Sequence, residues 1–161
     1  MNYREAIQKG FHLVRDKGLL TNGVIKQIQE QLEGNKAGFR VNPGTTLKDA
    51  NKNIIYIPPQ DANLIKELMS NLEVFVNDET VSDLDPLIKT AIIHHQFESI
   101  HPFYDGNGRT GRIIIILYLV ANKLLDLPIL YLSRYITHNK GEYYSLLQAI
   151  RDNNGDNAEN W

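Results

Sequence analysis

"AIIHHQFESIHPFYDGNGRTGRIIIILYLVA", residues 91–121, decides the fold of this 161-residue chain. On its left, Leu84, Leu87, Ile88, Ala91, Ile92 and His95 recur at helical spacing, so a helix is expected over about 83–100 with that set as its face. Pro102 cannot extend that helix, because it lacks an N–H and its ring clashes with the preceding turn. On the right, the four isoleucines from Ile113 suit a strand as well as a helix. The length of the segment, 109–125, and its helical surroundings favour a central helix buried all round. The twelve residues between, "HPFYDGNGRTGR" (101–112), are then the connection between two helices.

Outward from there, residues 2–17 carry Ala6, Ile7, Phe11 and Val14 at helical spacing, with Gly18 as C-cap. Thr21 is expected to cap a helix over 22–33 that Gly34 stops. "TTLKDANKNIIYIPP" predicts two short strands around the polar turn "KDANKN", halted by Pro58 and Pro59. A helix near 60–77 has Ile65, Leu68, Met69, Leu72, Phe75 and Val76 on one stripe. After Pro128, "PILYLSRYITHN" and "KGEYYSLLQAIRDN" read as two more helices, followed by the polar end "RDNNGDNAEN". The expected class is all-α with one small β-hairpin, in a single domain spanning 1–161.

Composition narrows the function. With 42% hydrophobic and 22% charged residues and a net charge of −2, the chain has no basic excess for nucleic acid or membrane surfaces, and neither is expected as a partner. There is no cysteine, so disulfides and thiolate metal sites are excluded, and a cytoplasmic location is expected. "MNYREAIQKG" lacks the apolar run of a signal peptide, and the run Ile113–Ala121 is too short to span a membrane.

A turn between helices needs a glycine or two, and most such turns do nothing more. This one adds groups that a nucleoside triphosphate requires. Gly106 and Gly108 permit a backbone nest whose N–H groups converge on an anion, at the N-terminus of the following helix. Arg109 and Arg112, three apart, can reach one polyphosphate. Asp105 is a hard oxygen ligand suited to Mg²⁺ shared with phosphates. His101 is the one side chain of the twelve able to act as a neutral base near pH 7.

Two other readings compete with this one. "GNGRTG" (106–111) fits G-x-G-x-x-G, with Asp126 twenty residues after Gly106, but the fingerprint must follow a strand and here follows a helix. His94, Glu98 and His101 stand at i, i+4 and i+7 and could share a helix face to bind zinc. Pro102 frays that face at His101, so His94 and His95 are expected to hydrogen-bond within the bundle.

"FESIHPFYDGNGRTGR" closely resembles the signature of the Fic family, H-P-F-x-D/E-G-N-G-R-x-x-R, and His101, Pro102, Phe103, Asp105, Gly106, Asn107, Gly108, Arg109 and Arg112 fill every defined place. "AGFR" (37–40), "IYIPP" (55–59), "HHQFE" (94–98), "PILYLSRYI" (128–136) and "YYSLL" (143–147) resemble the family's other landmarks, in its order. The resemblance implies a Fic-type helical bundle with a hairpin flap, and a protein adenylyltransferase that moves AMP from Mg-ATP to a Ser, Thr or Tyr hydroxyl of a target protein. It implies that His101 is the base, that Asp105 holds Mg²⁺, and that residues 106–112, Thr110 and Gly111 included, bind phosphates. Arg109 would lie at the β-phosphate and Arg112 at the γ-phosphate. Tyr143 and Tyr144 would flank the adenine, Ile55 and Tyr56 would help clamp the nucleotide, and the target would dock on the flap near 45–57.

Many relatives carry an inhibitory S/T-x-x-x-E-G/N segment whose glutamate pairs with the second motif arginine. Here Glu33-Gly34 is preceded by Gln29 and Glu159-Asn160 by Gly155 where that pattern has serine or threonine. The resemblance therefore implies the catalytic core of a longer protein, or one whose inhibitory glutamate at Arg112 comes from another segment or partner. Other transfer chemistry on the same fold (another nucleotide, phosphocholine, a kinase-like reaction or removal of AMP) and a non-catalytic nucleotide-binding module are the alternatives. Intact "DGNGR" disfavours a kinase, and His101 disfavours pure binding.

Overall fold

In the computed structural model, which describes residues 2–152, each early helix starts and stops where local chemistry dictates. Helix α1 (Tyr3–Lys17) ends on Gly18 at φ 69°, whose N–H donates to the Val14 carbonyl. Helix α2 (Asn22–Glu33) begins where Thr21 Oγ1 accepts the Val24 N–H at 3.3 Å, and stops at Gly34, φ 68°. Strands β1 (Leu47–Lys48) and β2 (Ile54–Tyr56) pair antiparallel, Leu47 opposite Tyr56 and Lys48 opposite Ile54, with an irregularity between the two pairs. Helix α3 (Ala62–Asn77) is opened by Asp61, whose Oδ1 accepts from the N–H groups of Asn63 and Leu64. It buries Ile65, Met69, Leu72 and Val76, with Leu68 and Phe75 at the margin of the same stripe.

Helix α4 (Pro86–Ile100) corrects the sequence reading of its face. Leu84, which precedes the helix, Leu87, Ile88 and Ala91 are exposed and Ile92 is half-buried. The buried set is Lys89, Ile93, His94, His95, Phe97, Glu98 and Ile100. Apolar residues lie all round α4, so their spacing had no single direction to reveal, and polar groups occupy the inner face. Helix α5 (Asn107–Ala121) settles the isoleucine run as helix, with every residue from Ile113 to Leu119 buried. It stops four residues earlier than expected. Asn122 Nδ2 bonds the Tyr118 carbonyl at 2.9 Å, Lys123 turns to φ 59°, and the Leu124 N–H returns to the Leu119 carbonyl.

Helix α5 is the axis against which α1, α2 and α4 pack, while α3 packs on α4. The approach of α1 is close: a Cβ on Gly10 would lie 2.6 Å from Leu117 Cδ1. These elements form one compact unit that ends at Ile129. A second unit begins at Leu130 and holds α6 (Leu132–His138), which buries none of its residues, and α7 (Lys140–Asp152), which buries Leu147. The helix expected from Pro128 thus starts at Leu132. The end of the polar stretch, with Glu159 and Asn160, lies outside the described residues. No helix among the described residues is long and apolar enough to cross a membrane.

Candidate active site

The bend between α4 and α5 is held in place by its own apolar and amide side chains. His101 closes α4 in the left-handed region, φ 49° and ψ 58°, its N–H donating to the Phe97 carbonyl. Pro102 then forbids another helical turn. Phe103 is fully buried between Phe39 and Phe97, at ring-centroid distances of 5.3 and 6.3 Å. The buried Asn107 amide clamps its backbone: Oδ1 accepts the Phe103 N–H at 2.9 Å and Nδ2 donates to the Phe103 carbonyl at 2.8 Å. Asp105 Oδ1 takes the Gly106 N–H at 2.6 Å, and Gly106 enters α5 at φ 80°.

A second set of contacts ties this bend to residues 40–42. Arg40, fully buried, donates from Nε to the His101 carbonyl at 2.8 Å and from Nη2 to the carbonyls of Ile100, at 3.3 Å, and Pro59. Its own N–H bonds the Pro102 carbonyl at 2.8 Å. The Tyr104 hydroxyl accepts from the N–H groups of Val41 and Asn42, which pulls its pKa below the usual phenol value.

The start of α5 makes an anion cradle. Its first intrahelical bond runs from the Thr110 N–H to the Gly106 carbonyl, so the N–H groups of Asn107, Gly108 and Arg109 have no acceptor within the helix. The positive end of the helix dipole adds to them. Arg109, half exposed, sits beside them with Nη2 2.8 Å from Glu33 Oε1 and 4.0 Å from Asp105 Oδ1. The positive φ of Gly106 favours glycine there, and a Cβ would also push the Glu33 carboxylate aside. From the same helix, the buried Gln29 donates from Nε2 to the Asp105 carbonyl at 3.3 Å. Sequence reading compared Gln29 and Glu33 only with an inhibitory pattern and missed that α2 supports the bend. Their four-residue spacing at the helix end was the available signal. Glu33 engages Arg109, not Arg112.

Four expected roles change. Gly108 has no positive φ, so the cradle is not a two-glycine nest; the helix itself aims that N–H. The Asn107 side chain is engaged with Phe103, leaving its backbone N–H for an anion. Thr110 is fully buried, and a Cβ on Gly111 would lie 2.7 Å from Glu98 Oε1 and 3.2 Å from Phe97 Cδ1. At 100° per residue, positions 107, 110 and 111 turn inward while 108, 109 and 112 do not, so Thr110 and Gly111 pack the helix rather than line the cradle. Arg112 lies alongside Gly108, its Nη1 3.4 Å from where a Cβ would be.

Behind the cradle, burial first, then the Arg112 charge and His95, pulls the His94 pKa down to about 4. Among the described residues no three His, Asp or Glu side chains form a metal-binding group, so His94, Glu98 and His101 do not make the zinc set considered above. His101 is half-buried and Asp105 exposed. Ile55 and Tyr56 lie on β2, partly and half exposed. Tyr143 and Tyr144 lie on α7 in the second unit, their rings edge-on at 5.1 Å.

Several known proteins are similar to this chain. The protein adenylyltransferase fic-1 of Caenorhabditis elegans is 30% identical over 93 residues, 56% of this chain and 17% of that protein. An Aquifex aeolicus protein named "Probable protein adenylyltransferase" is 40% identical over 82 residues, 51% of this chain and 23% of that protein. The chain thus spans less than a quarter of either relative's length. The crystal structure of a Fic family protein from Desulfovibrio desulfuricans superposes with a TM-score of 0.73 at 26% identity, covering 89% of this chain and 43% of that one. That of a Fic domain containing signaling protein from Bacteroides thetaiotaomicron gives 0.71 at 18%, over 98% of this chain and 60% of that one, a likeness of fold. The sequence profile of the Fic/DOC family matches residues 19–119, from the end of α1 through the bend and nearly all of α5. With bend, cradle and helical bundle all accounted for, this chain belongs to the Fic/DOC family.

Proposed function

We propose that this chain transfers AMP from ATP to a hydroxyl group of a target protein and releases pyrophosphate. One observation carries the reading: a single bend has the half-buried His101 at the end of α4 and unpaired N–H groups with Arg109 at the start of α5. The names of the relatives from C. elegans and A. aeolicus support the same class of reaction.

The chemistry divides along the bend. His101 takes the proton of the target hydroxyl, whose oxygen forms a bond to the α-phosphorus as the bond to the pyrophosphate oxygen breaks. The N–H groups of residues 107–109, with Arg109 and Arg112, hold the phosphate charge that grows on the leaving group. Positioning of these parts is what the buried Phe103 and Asn107 contribute, since transfer in line tolerates little error. The exposed Ile54 and Ile55 on β2, with Ile57 just after it, suit the docking of an extended target segment. Asp105 is a lone exposed carboxylate beside the cradle, oriented by the Gly106 N–H, and this fits a magnesium ion held mostly by phosphates and water. When bound there, Mg²⁺ would neutralise phosphate charge.

The test uses ATP labelled at the α-phosphate and, separately, at the γ-phosphate, with a lysate as the source of target. Label should pass to protein from the α position and vanish in His101→Ala. Transfer from the γ position, or transfer that survives His101→Ala, would falsify the assignment.

A further inference from the structure

A guanidinium removed entirely from water normally has a carboxylate beside it, because an unpaired buried charge is expensive. Arg40 is fully buried and makes no ion pair among the described residues; its partners are three carbonyl oxygens, and its Nη1 has no hydrogen bond. Capping α4 does not call for such a group. In the same chain α1 and α2 are capped by the backbone N–H groups of Gly18 and Gly34, with no buried side chain on their last carbonyls.

The choice of carbonyls explains the arginine. Two of them, on Ile100 and His101, belong to the peptide planes on either side of the His101 Cα. Fixing both planes fixes φ and ψ of His101, and with them the direction in which its Cβ leaves the backbone. That matters because His101 sits at φ 49°, where an L side chain has no intrinsic preference to stay. The third carbonyl, on Pro59, lies where the chain leaves the hairpin. A planar, rigid fork can hold three acceptors in one geometry; a single ammonium cannot.

We propose that Arg40 is a positioning residue for the His101 imidazole, and that it locks that imidazole to the segment leaving the hairpin. The proposal rests on the reading of His101 as the base, though its structural half can be tested without it.

The test compares Arg40→Met and Arg40→Lys with the wild-type full chain by four readouts. These are the rate constant of AMP transfer, the equilibrium Kd for ATP, the thermal midpoint and the ring ¹H–¹³C NMR signal of His101. Displacing a base by a fraction of an ångström lowers kcat about ten- to a hundredfold without touching the phosphate cradle. The expected result is therefore a Kd within about threefold of wild type, a kcat loss of that size in both variants, and a shifted or broadened ring signal. Unchanged kcat and ring signal in folded variants overturn the proposal, and so does a proportionate loss of ATP affinity and rate. If Arg40→Met fails to fold, Arg40→Lys decides; if neither folds, Arg40 is structural only and the proposal is wrong. If the wild type transfers no AMP, the proposed function fails, while the ring signal of the variants still decides the role of Arg40.

Discussion

The bend at 101–106 and the hairpin at 47–56 are both short connections in the same unit, yet they are held by opposite means. The bend is tied to the interior: Phe103 is buried, Asn107 clamps the backbone, Arg40 fixes the carbonyls, and Gln29 holds Asp105 from beneath. The hairpin turn is tied to itself. Asp49 Oδ1 accepts the N–H groups of Asn51 and Asn53, and its Oδ2 accepts from the Asn53 amide, all on the surface. Those bonds lower the Asp49 pKa, with the Asn53 side chain the largest cause. Ile54 and Ile57 remain exposed. A site that must hold a base and an anion in fixed relation needs the first construction. A surface proposed to meet a separate chain is better served by the second, which can adjust without disturbing the core.

This contrast can be broken by mutation. Removing the buried ring in Phe103→Ala should cost ~3–5 kcal/mol, measured by denaturant unfolding. If it costs no more than a hairpin substitution, the contrast is wrong. Acid comes next. Because the His94 pKa falls from 6.5 to about 4 on folding, the unfolded chain takes up a proton that the folded one refuses. Stability should therefore decline as pH drops from about 6.5 towards 4, by ~3 kcal/mol in all, and a His94→Gln variant should lose that slope.

A smaller effect sharpens the picture of the cradle. Glu33→Gln removes the nearer of the two carboxylates beside Arg109, so affinity for inorganic pyrophosphate should rise about three- to tenfold at low salt, shrinking as ionic strength grows. Folding stability should change by less than ~1 kcal/mol, since Arg109 is half exposed. Smallest of all, Ile54→Ser in the hairpin should alter unfolding free energy by less than ~0.5 kcal/mol.

Much of the fold could be read beforehand because it depends on local chemistry. Thr21, Gly18, Gly34 and Pro102 act on their own neighbours, so their effects are visible in a few residues of sequence. The polar turn of the hairpin belongs to the same class. What escaped reading depends on partners far away along the chain. The inner face of α4 is half polar because Lys89, His94, His95 and Glu98 are enclosed by other elements, which no spacing rule anticipates. Thr110 and Gly111 look like part of a phosphate loop until the helix starts at Asn107 and turns them inward. Gln29, Glu33 and Arg40 reach the bend across separations of 61 to 76 residues, and only the folded chain brings them there.

If the proposed transfer is right, the backbone of His101 has a practical consequence for capturing the acceptor protein. Alanine at this position removes the imidazole but has less tolerance for the left-handed geometry of φ 49°. Asparagine tolerates that geometry better than most residues and has no basic nitrogen. Under that proposal His101→Asn is the inert bait of choice, silent in chemistry but shaped to keep both cargo and acceptor in place.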